Sequence, residues 1–219
     1  MTGGGDAATA PTVRRGTAAD AGAVARLHAG QIADGFLSRL GPRFLTHLYR
    51  CVATGPDSFL LVAAGTEATT TSPPDTAVAG YIAGALDLRR LYRRFALRHG
   101  LVAAVSSGPR LVASLPQVWE TLRHGAEADD DGGGAELLAV AVDPGWRGHG
   151  IGGGLVEAFL AELERRRAPV AQVVVGADNA AAVALYRGAG FAVARTFELH
   201  RGTPSLLMRR GALSEGTGG

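Results

Sequence analysis

The sequence predicts a single α/β domain in which a mixed central sheet of about seven strands is flanked by helices. Apolar strand patterns alternate with amphipathic helical patterns, and 47% of the 219 residues are hydrophobic against 19% charged. In the second half the order strand, helix, strand, helix with short joints indicates a partly parallel sheet covered on both faces. A chain of this length accommodates one large domain.

The domain is expected to span residues 11–211, between two ends of different composition. Residues 1–10 and 212–219 consist mostly of small residues with few apolar groups to anchor them, so we expect a disordered and a flexible tail. The internal stretches 65–75 and 125–134 have similar composition. They are expected to be flexible surface loops, because the pieces on either side are too short to fold separately.

The first half of the chain is expected to open with a short edge strand, Thr12–Arg15. Thr17 is predicted to cap the helix that follows, and Pro42 is predicted to begin a second helix. Ser58–Ala64 and Val78–Leu86 have the patterns of neighbouring strands.

The second half shows four strand patterns separated by two helical patterns. The helices are predicted from Gly150 to about Arg167 and over Asn179–Gly188. Strands are predicted at Leu137–Val142, Val170–Val175, Phe191–Phe197 and Leu206–Arg209.

The composition excludes several chemistries. All 22 basic residues are arginine, so a Schiff-base lysine and a P-loop lysine are both absent. Cys51 is the single cysteine, which excludes an intramolecular disulfide and a cysteine-based zinc cluster. Its apolar helical surroundings predict a core position rather than a nucleophile.

No targeting or membrane segment is expected. Residues 1–10 lack the cationic and apolar regions of a signal peptide, and no apolar run approaches the roughly 20 residues of a membrane helix. We therefore expect a soluble cytoplasmic protein, either a monomer or a homodimer.

A glycine-rich segment joins the strand ending at Val142 to the next helix. Pro144 stops the strand, while Gly148 and Gly150 allow backbone conformations that other residues avoid. Such a loop turns several N–H groups toward one point at a helix N-terminus, where a phosphate is favoured. Arg147 adds a guanidinium that can fork onto phosphate oxygens.

A second motif begins 32 residues after Arg147, with Asn179 predicted to cap a helix that ends at Gly190. Here the chain resembles the GCN5-related N-acetyltransferase (GNAT) superfamily. Arg147, Gly150 and Gly152 match its Arg/Gln-x-x-Gly-x-Gly/Ala loop, and the second motif matches its Asn-x-x-Ala-x-x-Leu-Tyr-x-x-x-Gly-Phe helix. The two motifs cover about residues 136–197.

The resemblance implies acetyl-CoA as acyl donor, with no metal. The loop amides would bind the pyrophosphate, and the pantetheine arm would lie in a splay between strands 137–142 and 170–175. An exposed N–H near 139–141 would bind the thioester carbonyl. The residues expected to bind the donor are Val140, Ala141, Val142, Arg147, Gly148, His149, Gly150, Ile151, Gly152, Asn179 and Tyr186.

The resemblance also implies the catalytic groups. Tyr186 matches the usual proton donor, with a packing role as the alternative. Glu136 stands where several members place a glutamate that deprotonates substrate through water, with a solvated surface residue as the alternative. His200 is a second candidate base. In ribosomal-protein N-terminal acetyltransferases a glutamate occupies the position of Val174, which argues against that function here.

Residues 86–125 form a helical insertion before the fourth strand, with seven arginines against two acidic residues. Three interpretations stay open: a packing pair of helices, a cationic rim that recruits an anionic acceptor, or a membrane-surface element. Nucleic-acid binding is not expected, because recognition motifs and stacking aromatics are missing.

The predicted acceptor is a primary amine of a small molecule such as an amino sugar. A protein or peptide amine is the alternative acceptor, and a catalytically silent acyl-CoA sensor is the alternative function. Because the first helices usually line the acceptor pocket in this fold, Phe36, Tyr49 and His28 are candidate contacts.

Overall fold

Seven strands form one mixed sheet in the computed structural model, which describes residues 11–32, 36–64, 78–107, 134–168, 170–200 and 203–211. Their order across the sheet is β1-β2-β3-β4-β5-β7-β6, with β4 and β5 parallel and the other neighbours antiparallel. The predicted mixed seven-stranded sheet is confirmed. The strands are β1 (Thr12–Arg15), β2 (Ser58–Ala64), β3 (Val78–Ala85), β4 (Ala135–Val142), β5 (Val170–Gly176), β6 (Ala192–His200) and β7 (Thr203–Gly211).

Helices cover both faces of the sheet. They are α1 (Ala21–Gln31), α2 (Phe36–Arg39), α3 (Pro42–Thr54), α4 (Leu88–Ser107), α5 (Ile151–Arg165) and α6 (Ala180–Gly188). α4 forms the described part of the predicted insertion, whereas 108–133 lies outside the described residues, as do both termini and the 65–75 loop. None of the helices in the described ranges combines the length and apolar composition needed to cross a membrane.

The start of α1 differs from the prediction. The helix begins at Ala21 with Asp20 at the N-cap, and Thr17 donates to the Asp20 carboxylate from its backbone N–H (2.7 Å) and its hydroxyl (2.9 Å). Arg14 of β1 donates to the same buried carboxylate at 2.7 and 3.0 Å. Thr17 is therefore not the cap, because its hydroxyl is a donor to Asp20 rather than an acceptor from the helix.

The sheet separates two apolar cores, and the alternation of strand side chains assigns residues to each. Phe59 of β2 packs with α5 and α6 on one face, where Leu155 and Phe159 are also buried. Leu60, its neighbour in β2, packs with α1, α3 and α4 on the other face. Cys51 of α3 lies in this second core, as predicted.

Candidate active site

Strands β4 and β5 separate in the middle of the sheet. Their parallel register pairs Ala135 with Ala171 and Glu136 with Gln172, at the start of both strands. β4 stays paired with β3 up to Val142, with an irregularity that skips Leu138. Beyond Glu136 no residue of β4 pairs with β5, so the later parts of the two strands diverge. The predicted splay is therefore present.

The glycine-rich loop follows β4 directly. The carboxylate of Asp143 accepts a hydrogen bond from the Gly145 N–H (2.9 Å), which fixes the turn before α5. Gly148 (φ +82°) and Gly150 (φ +75°) lie in the left-handed region that side chains disfavour. A Cβ at either position would meet no protein atom within 4 Å, so these glycines serve the backbone conformation and leave open space beside it.

A cavity of about 240 Å³ lies against this loop and the first turn of α5. Its position combines the first-turn N–H groups of α5, the positive end of that helix and Arg147, a suitable environment for an anion. The Arg147 guanidinium donates to the Gln31 side-chain carbonyl at the end of α1. The lining residues are Val142, Trp146, Arg147, Gly148, Gly150, Ile151, Gly152 and Gly153, six of them predicted donor contacts.

Five predicted donor-binding residues lie outside this lining. His149 is exposed, its Nδ1 is 3.0 Å from the Arg147 carbonyl oxygen, and its ring packs edge-on against Trp146. Asn179 caps α6 by accepting from a backbone N–H at 3.1 Å. Val140 and Ala141 belong to the part of β4 that borders the splay.

Tyr186, the fifth of these residues, lies on α6 with a largely buried side chain (4% exposed). Its ring packs against Phe191, with the centroids 5.8 Å apart. Gly190, at φ +85°, ends the helix and turns the chain into β6. Burial raises the pKa of Tyr186 to about 12, so the phenol keeps its proton through the neutral range.

Glu136 occupies the last paired position before the splay, beside Gln172 of β5. Its side chain is half-buried. Burial and, second, the nearby Glu136 carboxylate raise the pKa of Tyr92 on α4, so the insertion helix lies close to this carboxylate. His200 is the last residue of β6, opposite Thr203, and its side chain lies outside what the structure describes.

A hydrogen-bonded cluster of His28, Tyr49 and Tyr81 lies in the core between α1, α3 and β3. His28 Nδ1 is 2.6 Å from the Tyr49 hydroxyl and 2.8 Å from the Tyr81 hydroxyl, and the two hydroxyls are 2.9 Å apart. Burial lowers the pKa of His28 to about 4, so the imidazole is neutral. Tyr81 pairs with Ala141 of β4, and Tyr186 adds to the rise in its pKa that burial causes. The cluster therefore lies one strand away from the splay.

The arginines of the insertion have mixed surroundings. Arg90 pairs with Asp87 at 3.0 Å and lies 3.6 Å from Asp57, whereas Arg89 and Arg93 are exposed. On the opposite side of α4, Leu91 and Phe95 are buried. The predicted packing side of this helix is thus present, while the Arg98, Arg110 and Arg123 side chains lie outside the described part of the chain.

Three residues at this site were not predicted from the sequence. Gln31 meets Arg147, Tyr81 completes the buried cluster, and Gln172 stands beside Glu136. Gln172 could have been recognised from the sequence, because it is the polar residue within the otherwise apolar pattern Val170–Val175. Of the two expected acceptor contacts with described side chains, His28 and Tyr49, each is bonded within the cluster; the Phe36 side chain lies outside the description.

Comparison with known proteins gives one family match and several partial relatives. The model of the acetyltransferase (GNAT) family matches residues 75–191. The chain is 40% identical over 76 residues to mycothiol acetyltransferase of Brachybacterium faecium, covering 35% of this chain and 22% of that protein. It is 44% identical over 57 residues to the [ribosomal protein bS18]-alanine N-acetyltransferase of Escherichia coli K12, covering 26% and 38%.

The chain thus spans about a fifth to two fifths of the curated relatives it matches. Among solved structures, yncA of Salmonella typhimurium, solved with its cofactor acetyl-CoA, superposes with a TM-score of 0.58 at 16% identity, covering 95% of this chain and 97% of that one. This likeness shows a shared fold. Because the family model matches more than half of the sequence, the chain belongs to the acetyltransferase (GNAT) family.

Proposed function

We propose that the protein is an N-acetyltransferase that transfers the acetyl group of acetyl-CoA to a primary amine of a small molecule, such as an amino sugar. The observation that carries the proposal is that the cavity at the glycine loop and the splay adjoin at the same strand. An anion-binding cavity at the glycine loop stands at the end of β4, the strand that borders the splay. The acetyltransferase names of both relatives and the acetyl-CoA bound to the fold neighbour support the donor.

The donor would bind along this line. The pyrophosphate takes the backbone N–H groups of 147–152 and the positive end of α5, with Arg147 as an additional charge. The pantetheine arm enters the wedge between β4 and β5. A backbone N–H near Val140–Ala141 donates to the thioester carbonyl and stabilises the negative charge that develops there.

Catalysis would use two groups, Glu136 of β4 and Tyr186 of α6. The neutral amine attacks the thioester carbonyl carbon, and Glu136 takes a proton from the nitrogen directly or through water. When the C–S bond breaks, the Tyr186 phenol donates its proton to the leaving sulfur. Its raised pKa ensures that this proton is present at neutral pH.

The acceptor side favours a small molecule over a ribosomal protein. Val174, which the resemblance places at the position of a glutamate in ribosomal-protein N-terminal acetyltransferases, is apolar and 37% exposed. A carboxylate is therefore missing where those enzymes would have one. A peptide amine stays the second candidate, because the Escherichia coli relative is named for a protein alanine.

The test is release of the coenzyme A thiol from acetyl-CoA in the presence of amino sugars, aminoglycosides, polyamines and short peptides. We expect release with at least one class. The Tyr186→Phe variant should turn over about 100-fold more slowly, because general acid catalysis contributes on that order, while binding acetyl-CoA as tightly as wild type.

Two outcomes would contradict the proposal. Acetyl-CoA binding without release on any amine would favour a sensor. Full activity of Tyr186→Phe would show that water, not this phenol, protonates the sulfur.

A further inference from the structure

Gln172 of β5 is a buried polar side chain without a complete set of partners. It is 5% exposed, and its Oε1 makes no hydrogen bond to any of the described residues. A buried carbonyl oxygen that loses water and gains no donor lowers stability. Such an atom in a buried strand is unusual, and a ligand N–H or O–H would satisfy it.

The sheet register places this atom beside the candidate base. Gln172 pairs directly with Glu136, so both side chains leave the same face of strands about 4.8 Å apart. They stand at the last paired position, where the wedge begins. Two residues further along the same face of β5, Val174 is 37% exposed. An amine that reaches Glu136 from this face therefore also reaches Gln172.

We propose that Gln172 Oε1 accepts a hydrogen bond from the acceptor nitrogen and thereby restricts the acceptor to primary amines; the inference rests on the proposed function. Arg209 of β7 pairs with Gln172 across the sheet and adds a second polar side chain in the same row. Gln172 is a specificity-determining residue in this account, and Glu136 remains the base.

The number of N–H bonds on the amine explains the expected preference for primary over secondary amines. A neutral primary amine has two N–H bonds when its lone pair attacks the thioester carbon and forms the new C–N bond. One N–H proton passes to Glu136, the other stays on nitrogen and bonds to Gln172 Oε1, and the electron pair of the C–S bond leaves with sulfur, which takes the Tyr186 proton. The product amide keeps the second N–H. A secondary amine has a single N–H, so it cannot serve both groups.

The experiment compares wild type with Gln172→Leu on two matched pairs of acceptors: glucosamine with N-methylglucosamine, and alaninamide with N-methylalaninamide. For the pair that wild type uses, we expect kcat/KM at least tenfold higher for the primary amine. In Gln172→Leu this preference should fall to near unity through loss on the primary amine. Acetyl-CoA affinity should stay unchanged, and the melting temperature should stay equal or rise because an unsatisfied oxygen is removed.

Two results overturn the inference alone: equal use of primary and secondary amines by wild type, or an unchanged preference in a well-folded Gln172→Leu. Gln172→Met, unbranched and of similar length, gives the same readout if the leucine variant does not fold. Absence of thiol release by wild type with every primary amine of the wider panel would instead overturn the proposed function.

Discussion

The two sides of the splay are built in different ways. On the donor side, one short segment supplies almost everything, since the loop and first turn of α5 line the cavity with backbone groups and small residues. On the proposed acceptor side, Glu136, Gln172 and the His28–Tyr49–Tyr81 cluster come from α1, α3, β3, β4 and β5. Local backbone geometry makes the first side, and tertiary packing of side chains makes the second.

In the proposed function, this difference separates the part that would bind the donor from the part that would contact the acceptor. A backbone cradle accepts any ligand with the same phosphate geometry and tolerates side-chain variation around it. A group of side chains contributed by five elements changes with each of those side chains. Changes on the acceptor side should therefore alter turnover and specificity while leaving acetyl-CoA binding intact, and changes to the loop should do the reverse.

The largest expected effect is that of Glu136→Gln. Removing the carboxylate removes the base, so kcat/KM for the amine should fall about 1,000-fold, within the range of general base catalysis. Steady-state kinetics with the best acceptor measures the loss, and calorimetry should show unchanged acetyl-CoA affinity. Glu164→Gln, an exposed carboxylate near the far end of α5, is the matched control and should behave as wild type. Comparable losses in donor affinity and turnover would break the separation of the two sides.

The next effect concerns the stability of the acceptor side. Burial lowers the pKa of His28 to about 4, below its ordinary value of 6.5. Between these pH values the unfolded state binds a proton at His28 that the folded state does not. The stability that the neutral His28 provides is therefore complete above pH 6.5 and is lost as pH falls toward 4. The free energy of unfolding should decrease by about 2 kcal/mol from pH 7 to pH 4.5 through this group.

Urea unfolding at the two pH values measures this decrease. His28→Gln should remove it, whereas His149→Gln, which changes an exposed imidazole, should keep it. The Asp20 carboxyl, whose pKa lies below its usual value because of bonds from Arg14 and Thr17, loses its contribution at lower pH than this window. An equal decrease in wild type and His28→Gln would show that the cluster is not closed to protons.

The sequence predicted the local geometry of the glycine loop and the α6 cap better than the surroundings of Gln172 and Tyr81, for a physical reason. Gly148, Gly150 and the Asn179 cap are determined within a few residues, so their spacing carries the geometry. Gln172 and Tyr81 acquire their roles from strand register, which depends on the whole sheet. The N-cap of α1 also depends on tertiary contacts. Thr17 and Asp20 are both suitable cap residues, and Arg14 of β1 donates a hydrogen bond to Asp20.

The central claim, that the glycine loop holds the donor, is tested most directly by calorimetric titration of acetyl-CoA into wild type, Gly150→Val and Gly154→Ala. Valine at φ +75° is strained by roughly 2 kcal/mol and fills the open space beside the loop, so we expect about 30-fold weaker binding. Gly154 lies within α5, where a Cβ meets no atom within 4 Å, and its alanine variant should bind as wild type does. Unchanged affinity in a folded Gly150→Val would contradict the assignment of the loop.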